Sequence, residues 1–308
     1  MARELTIGTR RISDDDAPYV VAEIGGNHGG SVHVANEMIR TAAQCGAAAV
    51  KLQVRGPRLY SQALLDKPYE NENSFGRTYG EHRAALELNL NALRLTQIQA
   101  EQVGVQWFAT AFDERSADRL FNLHVPAIKL ASGALTDTVL QTHVAGLGIP
   151  IILSTGGGTD ADIDRAVQTI TKRHKQLALL YCVAAYPLEP KDANLRCILT
   201  MRTRYPELVI GYSSHSPGLM LSLIAAAFGA SILEQHFTLN RASKGTDHAF
   251  SLEPKGLATL CDDLRKLHVA LGDGVKRFLE IERGPLSKMR RVQTEHGMRI
   301  TGAISADH

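Results

Sequence analysis

Two histidines with matched surroundings carry the first chemical signal in this chain. His215 closes the apolar run VIGYSS that starts at Val209, and His236 ends a second run from Ser231; a Pro-Gly break and the apolar stretch LMLSLIAAAFGA separate them. A strand, a covering helix and a parallel neighbouring strand would set both imidazoles at the carboxyl ends of adjacent strands, where α/β folds build their sites. A single histidine there is more often a hydrogen-bonded structural residue. Two at corresponding positions of consecutive units, with Glu234 and Asp247 near in sequence, keep a shared metal ion open beside that reading.

Other segment ends are equally polar: Glu23, Lys51 with Gln53, Thr110, Lys129 with Ser132, Ser154, Tyr186 and Ser213. Lysine is costly to bury without an anion, so Lys51 and Lys129 together imply a phosphate or carboxylate between them. The alternative is that each pairs with a protein carboxylate such as Glu23. The turn Ser154-Thr155-Gly156-Gly157-Gly158 leads into a helical pattern and fits the anion sites found at helix amino termini.

These residues need a frame, and the chain supplies a regular one. Continuous apolar runs are expected as strands at 19–25, 48–53, 106–111, 127–132, 150–156, 177–183, 209–214 and 231–237, alternating with helical patterns. Eight strand and helix pairs make an α/β protein of the (β/α)8 TIM barrel type over 19–274, with a short N-terminal hairpin at 1–18 and a basic extension at 275–308. The segment 54–89 breaks the rhythm. Its Tyr60, Tyr69, Phe75, Tyr79 and His82 favour an ordered loop near the site.

Bulk properties narrow the partners. Lys+Arg total 34 against Asp+Glu 32, a net charge of +2, which gives no field for nucleic acid or an anionic membrane. Four scattered cysteines without pair spacing, and no basic, apolar leader, read as a reduced cytoplasmic protein. No apolar run is long enough to span a bilayer.

The motifs AEIGGNHGG (22–30), TYGEHRAALEL (78–88), KLASG (129–133), ILSTGGGT (152–159), GYSSHSPG (211–218) and EQHFTL (234–239) with KGTDHAFSLEP (244–254) resemble the sialic acid (N-acetylneuraminate) synthase family over nearly the whole chain. The resemblance implies a barrel enzyme that condenses phosphoenolpyruvate with an aldose such as N-acetylmannosamine or its 6-phosphate, giving a nonulosonic acid and phosphate. It implies that His215 and His236 bind Mn2+ or Mg2+. Glu23, Lys51, Lys129 and the two histidines would be catalytic. Thr110, Ser132, Ser154 and Ser213, with the two lysines, would hold phosphoenolpyruvate; Gln53, Tyr186 and Asp247, with Glu23, would surround the sugar.

Three departures qualify that expectation. Ala134 stands where the family commonly carries an acidic residue, and Ala184 where a polar residue usually meets the phosphate. Many relatives continue into an antifreeze-like cap that reaches across a dimer; the roughly thirty-five residues after the barrel are fewer than a small domain needs, so the cap is expected to be absent. A homodimer or a separate capping protein is the corresponding expectation for partners. Altered lyase or aldol chemistry, and a catalytically silent binding barrel, remain the competing functions.

Overall fold

In a computed structural model of the chain, which describes residues 3–302, an eight-stranded parallel barrel holds the core. Hairpin strands β1 (Glu4–Ile7) and β2 (Arg10–Ser13) come first. The barrel follows as β3 (Tyr19–Gly25), β4 (Ala49–Val54), β5 (Gln106–Ala111), β6 (Ile128–Leu130), β7 (Ile151–Ser154), β8 (Leu177–Cys182), β9 (Val209–Ser214) and β10 (Ile232–His236), closed by β10 pairing with β3. Nearly every strand residue is buried, as expected for strands covered on both faces.

The covering helices form where apolar residues recur at helical spacing behind a capping residue. In α1 (Val32–Gln44), Ala35, Met38, Ile39 and Ala42 make the buried stripe, and Ser31 caps the start by accepting from the Val34 N–H. Each such Ile or Met contributes about 1.5–3 kcal/mol by leaving water. Two short helices, α2 (Gln62–Leu65) and α3 (Tyr79–Leu86), lie inside the 54–89 segment, and α4 (Leu90–Gln102), α5 (Glu114–Asn122), α6 (Thr138–Gly146), α7 (Asp160–Thr171), α8 (Cys197–Arg204), α9 (Met220–Ala227) and α10 (Pro254–Leu271) complete the ring. The sequence reading of 54–89 as a loop therefore missed two helices, but its order is as expected: Pro68 bridges Thr78, and Thr78 caps α3.

The N-terminal hairpin sits at the amino-terminal ends of the strands. Leu5, Ile7 and Ile12 are buried, and the Thr6 N–H donates to Gln176 Oε1 at 3.1 Å, just before β8. The chain divides into two compact units at Val269 and Ala270. The second contains α11 (Arg283–Ser287) and an antiparallel hairpin, β11 (Val292–Thr294) with β12 (Gly297–Arg299), so the basic extension is not featureless. Residues 303–308 of that extension lie outside the described residues.

Barrel closure leaves little tolerance inside β9. A Cβ on Gly211 would sit 2.4 Å from Leu180 Cδ2 and 2.5 Å from Ile232 O. Gly211→Ala is expected to destabilise the protein by about 1–3 kcal/mol through overpacking, read as a lower thermal midpoint; an unchanged midpoint would show that β8 and β10 yield freely.

Candidate active site

All twelve sequence-selected site residues line one cavity of about 640 Å3 at the carboxyl-terminal mouth of the barrel. Strand register explains the convergence. Glu23 stands beside both His236 and Lys51, Thr110 beside both Gln53 and Lys129, and Ser213 beside Glu234. A bulge between Glu23 and Gly25 shifts the β3 register. Gly25 adopts φ +55°, and a Cβ there would press on Glu23 Oε1 at 3.1 Å and Gln53 Nε2 at 3.2 Å, so glycine at this turn lets the two side chains meet.

Charge pairing at the floor of the mouth corrects part of the sequence reading. Lys51 Nζ lies 2.7 Å from Glu23 Oε2 and 3.6 Å from Glu234 Oε1, and it donates to Thr110 Oγ1 at 2.8 Å. Lys129 Nζ also lies 3.6 Å from Glu234 Oε1 and donates to Ser154 Oγ at 2.7 Å. Two buried cations thus face two buried carboxylates. Protein carboxylates neutralise the lysines, so their burial does not by itself demand an external anion.

The two lysines are nevertheless unequal. Burial disfavours the charged form of both; at Lys51 the carboxylates of Glu23 and Glu234 outweigh it and the pKa is raised. At Lys129 burial prevails over Glu234, and the pKa is lowered. Lys129 is therefore the cation with most to gain from an arriving anion. Glu234, resisted by its burial but held by Lys129 and then Lys51, is lowered to about 2. It accepts from Ser213 Oγ at 3.1 Å, while its Oε2 is buried without a hydrogen bond. That oxygen is free to receive a donor from a ligand.

At the other side of the mouth, His215 follows β9 and His236 ends β10, with ring centroids 5.5 Å apart. His215 Nδ1 lies 2.9 Å from Val183 O, a contact that takes the proton on Nδ1 and leaves Nε2 with its lone pair. Burial, and then the neighbouring His236, push the His215 imidazole down to about 4, so it is neutral as a metal ligand must be. His236 Nδ1 is buried without a hydrogen bond and lies 3.7 Å from Asp247 Oδ2. The pair thus offers two imidazole nitrogens to one side of the mouth; among the described residues no group of three or more His, Cys, Asp or Glu that could hold a metal ion is present. Tyr186 packs its ring 4.0 Å from that of His215.

The glycine-rich turn after β7 behaves differently from the sequence expectation. Gly157, Gly158 and Asp160 line a separate cavity, and the start of α7 is closed by a capping box between Thr159 and Asp162, with Asp160 and Asp162 in the first turn. Those carboxylates meet the helix amino terminus and repel an anion there. The Gly156 N–H donates instead to Ser132 Oγ at 3.0 Å, which positions Ser132 on the cavity wall.

Sequence reasoning missed several lining residues: Arg55, Asn73, Arg83, Phe112, Cys182 and Thr246. A signal existed for one. Lys51, Gln53 and Arg55 recur at period two, as residues on one strand face must. Arg83 and Asn73 belong to the 54–89 segment, where no period applies. Of the two alanine departures, Ala184 lines the cavity, whereas Ala134 is buried in a 3-10 turn after β6 and does not.

A closed parallel barrel with titratable and hydroxyl groups gathered at its carboxyl-terminal mouth is the architecture of a barrel enzyme acting on a small polar substrate. Residues 38–276 match the NeuB family, and the chain belongs to it. It is 40% identical over 247 residues to the N-acetylneuraminate-9-phosphate synthase of Drosophila melanogaster, covering 80% of this chain and 66% of that protein. The same synthase of Mus musculus is 37% identical, covering 86% and 74%. The crystal structure of the N-acetylneuraminic acid (sialic acid) synthetase of Leptospira borgpetersenii serovar Hardjo-bovis, in complex with citrate, superimposes with a TM-score of 0.81 at 32% identity, covering 93% and 96%. The chain thus spans about two thirds of the length of the fly relative.

No helix among the described residues is long and apolar enough to cross a membrane.

Proposed function

We propose that this chain condenses phosphoenolpyruvate with an aldose of the N-acetylmannosamine type to give a nonulosonic acid and inorganic phosphate. The observation that carries the reading is the asymmetric lysine pair. Lys51 lies 2.7 Å from Glu23 and shares Glu234 with Lys129, each at 3.6 Å, so Lys129, beside Ser154, is the lysine without a close carboxylate and the one that gains most from an incoming anion; the two histidines line the same mouth. That the fly and mouse relatives are N-acetylneuraminate-9-phosphate synthases supports it.

In this reading the carboxylate and phosphate of phosphoenolpyruvate lie against Lys129, Lys51, Thr110, Ser132, Ser154 and Ser213, whose donors match a multiply charged enol phosphate. His215 and His236 would hold a divalent ion, Mn2+ or Mg2+, whose bound chemistry is Lewis-acid polarisation of the aldehyde oxygen. Glu23, fixed by Lys51 and by Gln53 Nε2 at 2.7 Å, faces the acceptor with Tyr186 and Asp247. Carbon 3 of phosphoenolpyruvate attacks the aldehyde carbon, water adds at carbon 2, and the C–O bond to phosphate breaks. Ala134 supplies no carboxylate for the accompanying proton transfers; the carboxylates on the cavity wall are Glu23, Glu234 and Asp247.

Phosphate release from phosphoenolpyruvate with Mn2+, across a panel of aldoses and aldose phosphates, tests this. Aldose-dependent release should fall by more than about a hundredfold in His215→Ala/His236→Ala. Release without an aldose, or none with any, would favour altered chemistry on the same floor or a silent barrel.

A further inference from the structure

A chain of contacts leads out of the cavity from Glu23 to a carboxylate that does not line it. Gln53 Nε2 donates to Glu23 Oε1 at 2.7 Å, and Gln53 Oε1 accepts from Arg55 Nη2. Arg55 Nη1 lies 3.1 Å from Glu87 Oε1, and the Arg55 backbone N–H donates to Glu87 Oε2 at 3.3 Å. Glu23, Gln53 and Arg55 line the mouth; Glu87 does not. A guanidinium has only N–H groups to offer, so the Gln53 amide must turn its oxygen to Arg55 and its nitrogen to Glu23. Reversing the amide would set oxygen against carboxylate and N–H against guanidinium, two repulsions at once.

Each member of the chain is held from behind. The Arg55 guanidinium lies 4.1 Å from the centre of the Phe112 ring, but a ring contact does not fix which nitrogens face Gln53. Glu87, gripping both the side chain and the backbone of residue 55, does. Glu87 is in turn the C-cap of α3, and the turn after β3 sets its place. A Cβ on Gly30, where φ is +80°, would lie 2.1 Å from Ala85 O, and one on Gly26 would lie 3.7 Å from Leu86 Cδ1, so the end of α3 seats directly on that turn. Because β3 carries Glu23, the contacts close into a ring: Glu23, the turn behind it, α3, Glu87, Arg55, Gln53 and Glu23 again.

We infer that Glu87 is a positioning residue for Glu23, acting through Arg55 and Gln53 without touching substrate. The inference rests on the condensation reading, in which Glu23 faces the acceptor, and deepens it. Lys51 holds one oxygen of Glu23 at 2.7 Å and Gln53 holds the other, so the carboxylate cannot rotate while both contacts stand. A group fixed in this way is preorganised for the reacting geometry, and loosening it costs rate more than phosphoenolpyruvate binding.

Kinetics with the most active aldose of the panel, at saturating phosphoenolpyruvate and Mn2+, test this in the whole chain carrying Glu87→Ala, Glu87→Gln, Gln53→Met or Glu87→Ala with Gln53→Met. Glu87→Ala should lower kcat by about ten- to a hundredfold, the worth of one hydrogen bond to a charged group, and leave the phosphoenolpyruvate KM within about threefold. Its thermal midpoint should fall by less than about 4 °C, as for a partly exposed ion pair. Glu87→Gln, whose amide oxygen still accepts from Arg55, should recover part of the loss. The double variant should be no slower than Gln53→Met alone, because Glu87 then has nothing left to position. Losses that multiply in the double variant would overturn the proposal, as would a Glu87→Ala kcat within about threefold of native. If no aldose turns over, the condensation reading fails and crystal structures of the native and Glu87→Ala proteins decide this one. A Glu23 carboxylate turned away from Gln53 in the variant supports it, and one that keeps its place overturns it.

Discussion

Glu234→Gln is expected to lower stability by about 3–5 kcal/mol, because it strips the carboxylate from Lys129 and one of two from Lys51 while leaving both cations buried. Activity should fall by two to four decades, the scale of a lost acid–base or charge-orienting group. The stability deficit carries its own signature. Lys129 already has a lowered pKa, with burial as the first cause, and losing Glu234 lowers it further. Between that folded value and the unfolded 10.5 the native state binds fewer protons than the unfolded chain, so the variant regains stability as pH rises through this window. Denaturant unfolding at several pH values checks it. A deficit independent of pH would mean that Lys129 keeps its proton and that another contact holds the floor together.

Lys129→Met and Lys51→Met should separate binding from folding. Lys51 holds Glu23 at 2.7 Å and Glu234 at 3.6 Å, so its removal leaves two buried carboxylates poorly compensated. Lys51→Met is expected to unfold at markedly lower temperature, by the same 3–5 kcal/mol or so. Lys129→Met keeps the shortest ion pair, Lys51 with Glu23 at 2.7 Å, and leaves Glu234 at 3.6 Å from Lys51, so it should be destabilised less than Lys51→Met. It should lose phosphoenolpyruvate affinity by about ten- to a hundredfold, the worth of one charge-assisted hydrogen bond. Calorimetric titration with phosphoenolpyruvate beside a thermal melt gives both numbers. Equal destabilisation by the two variants would show that the pair acts as one structural unit and that Lys129 is not the anion receptor.

Much of this protein is local in the chain. Eight runs of buried strand residues, with helices that repeat at 3.6, determine a barrel whatever the details, and three strands (19–25, 106–111 and 209–214) fall on the bounds their apolar runs indicate. A barrel in turn places strand-end residues at one mouth, which is why all twelve sequence-selected residues meet in one cavity. The strand-face period also exposes Arg55 behind Lys51 and Gln53.

Tertiary structure alone decided the charge pairing. Barrel closure lays β10 against β3, more than two hundred residues earlier in the chain, and so delivers Glu234 to a floor built by Lys51 and Lys129. Polarity at a strand end says that a residue faces the mouth, not which charge it will meet there. The same limit applies to the turn after β7, where Thr159 and Asp162 cap the helix and close it to anions. It applies also to Arg83, which lies against the Tyr79 ring in an aromatic cluster and lines the cavity without any sequence period to announce it. Periodicity encodes burial, which depends on neighbours along the chain, whereas electrostatic partnership depends on neighbours in space.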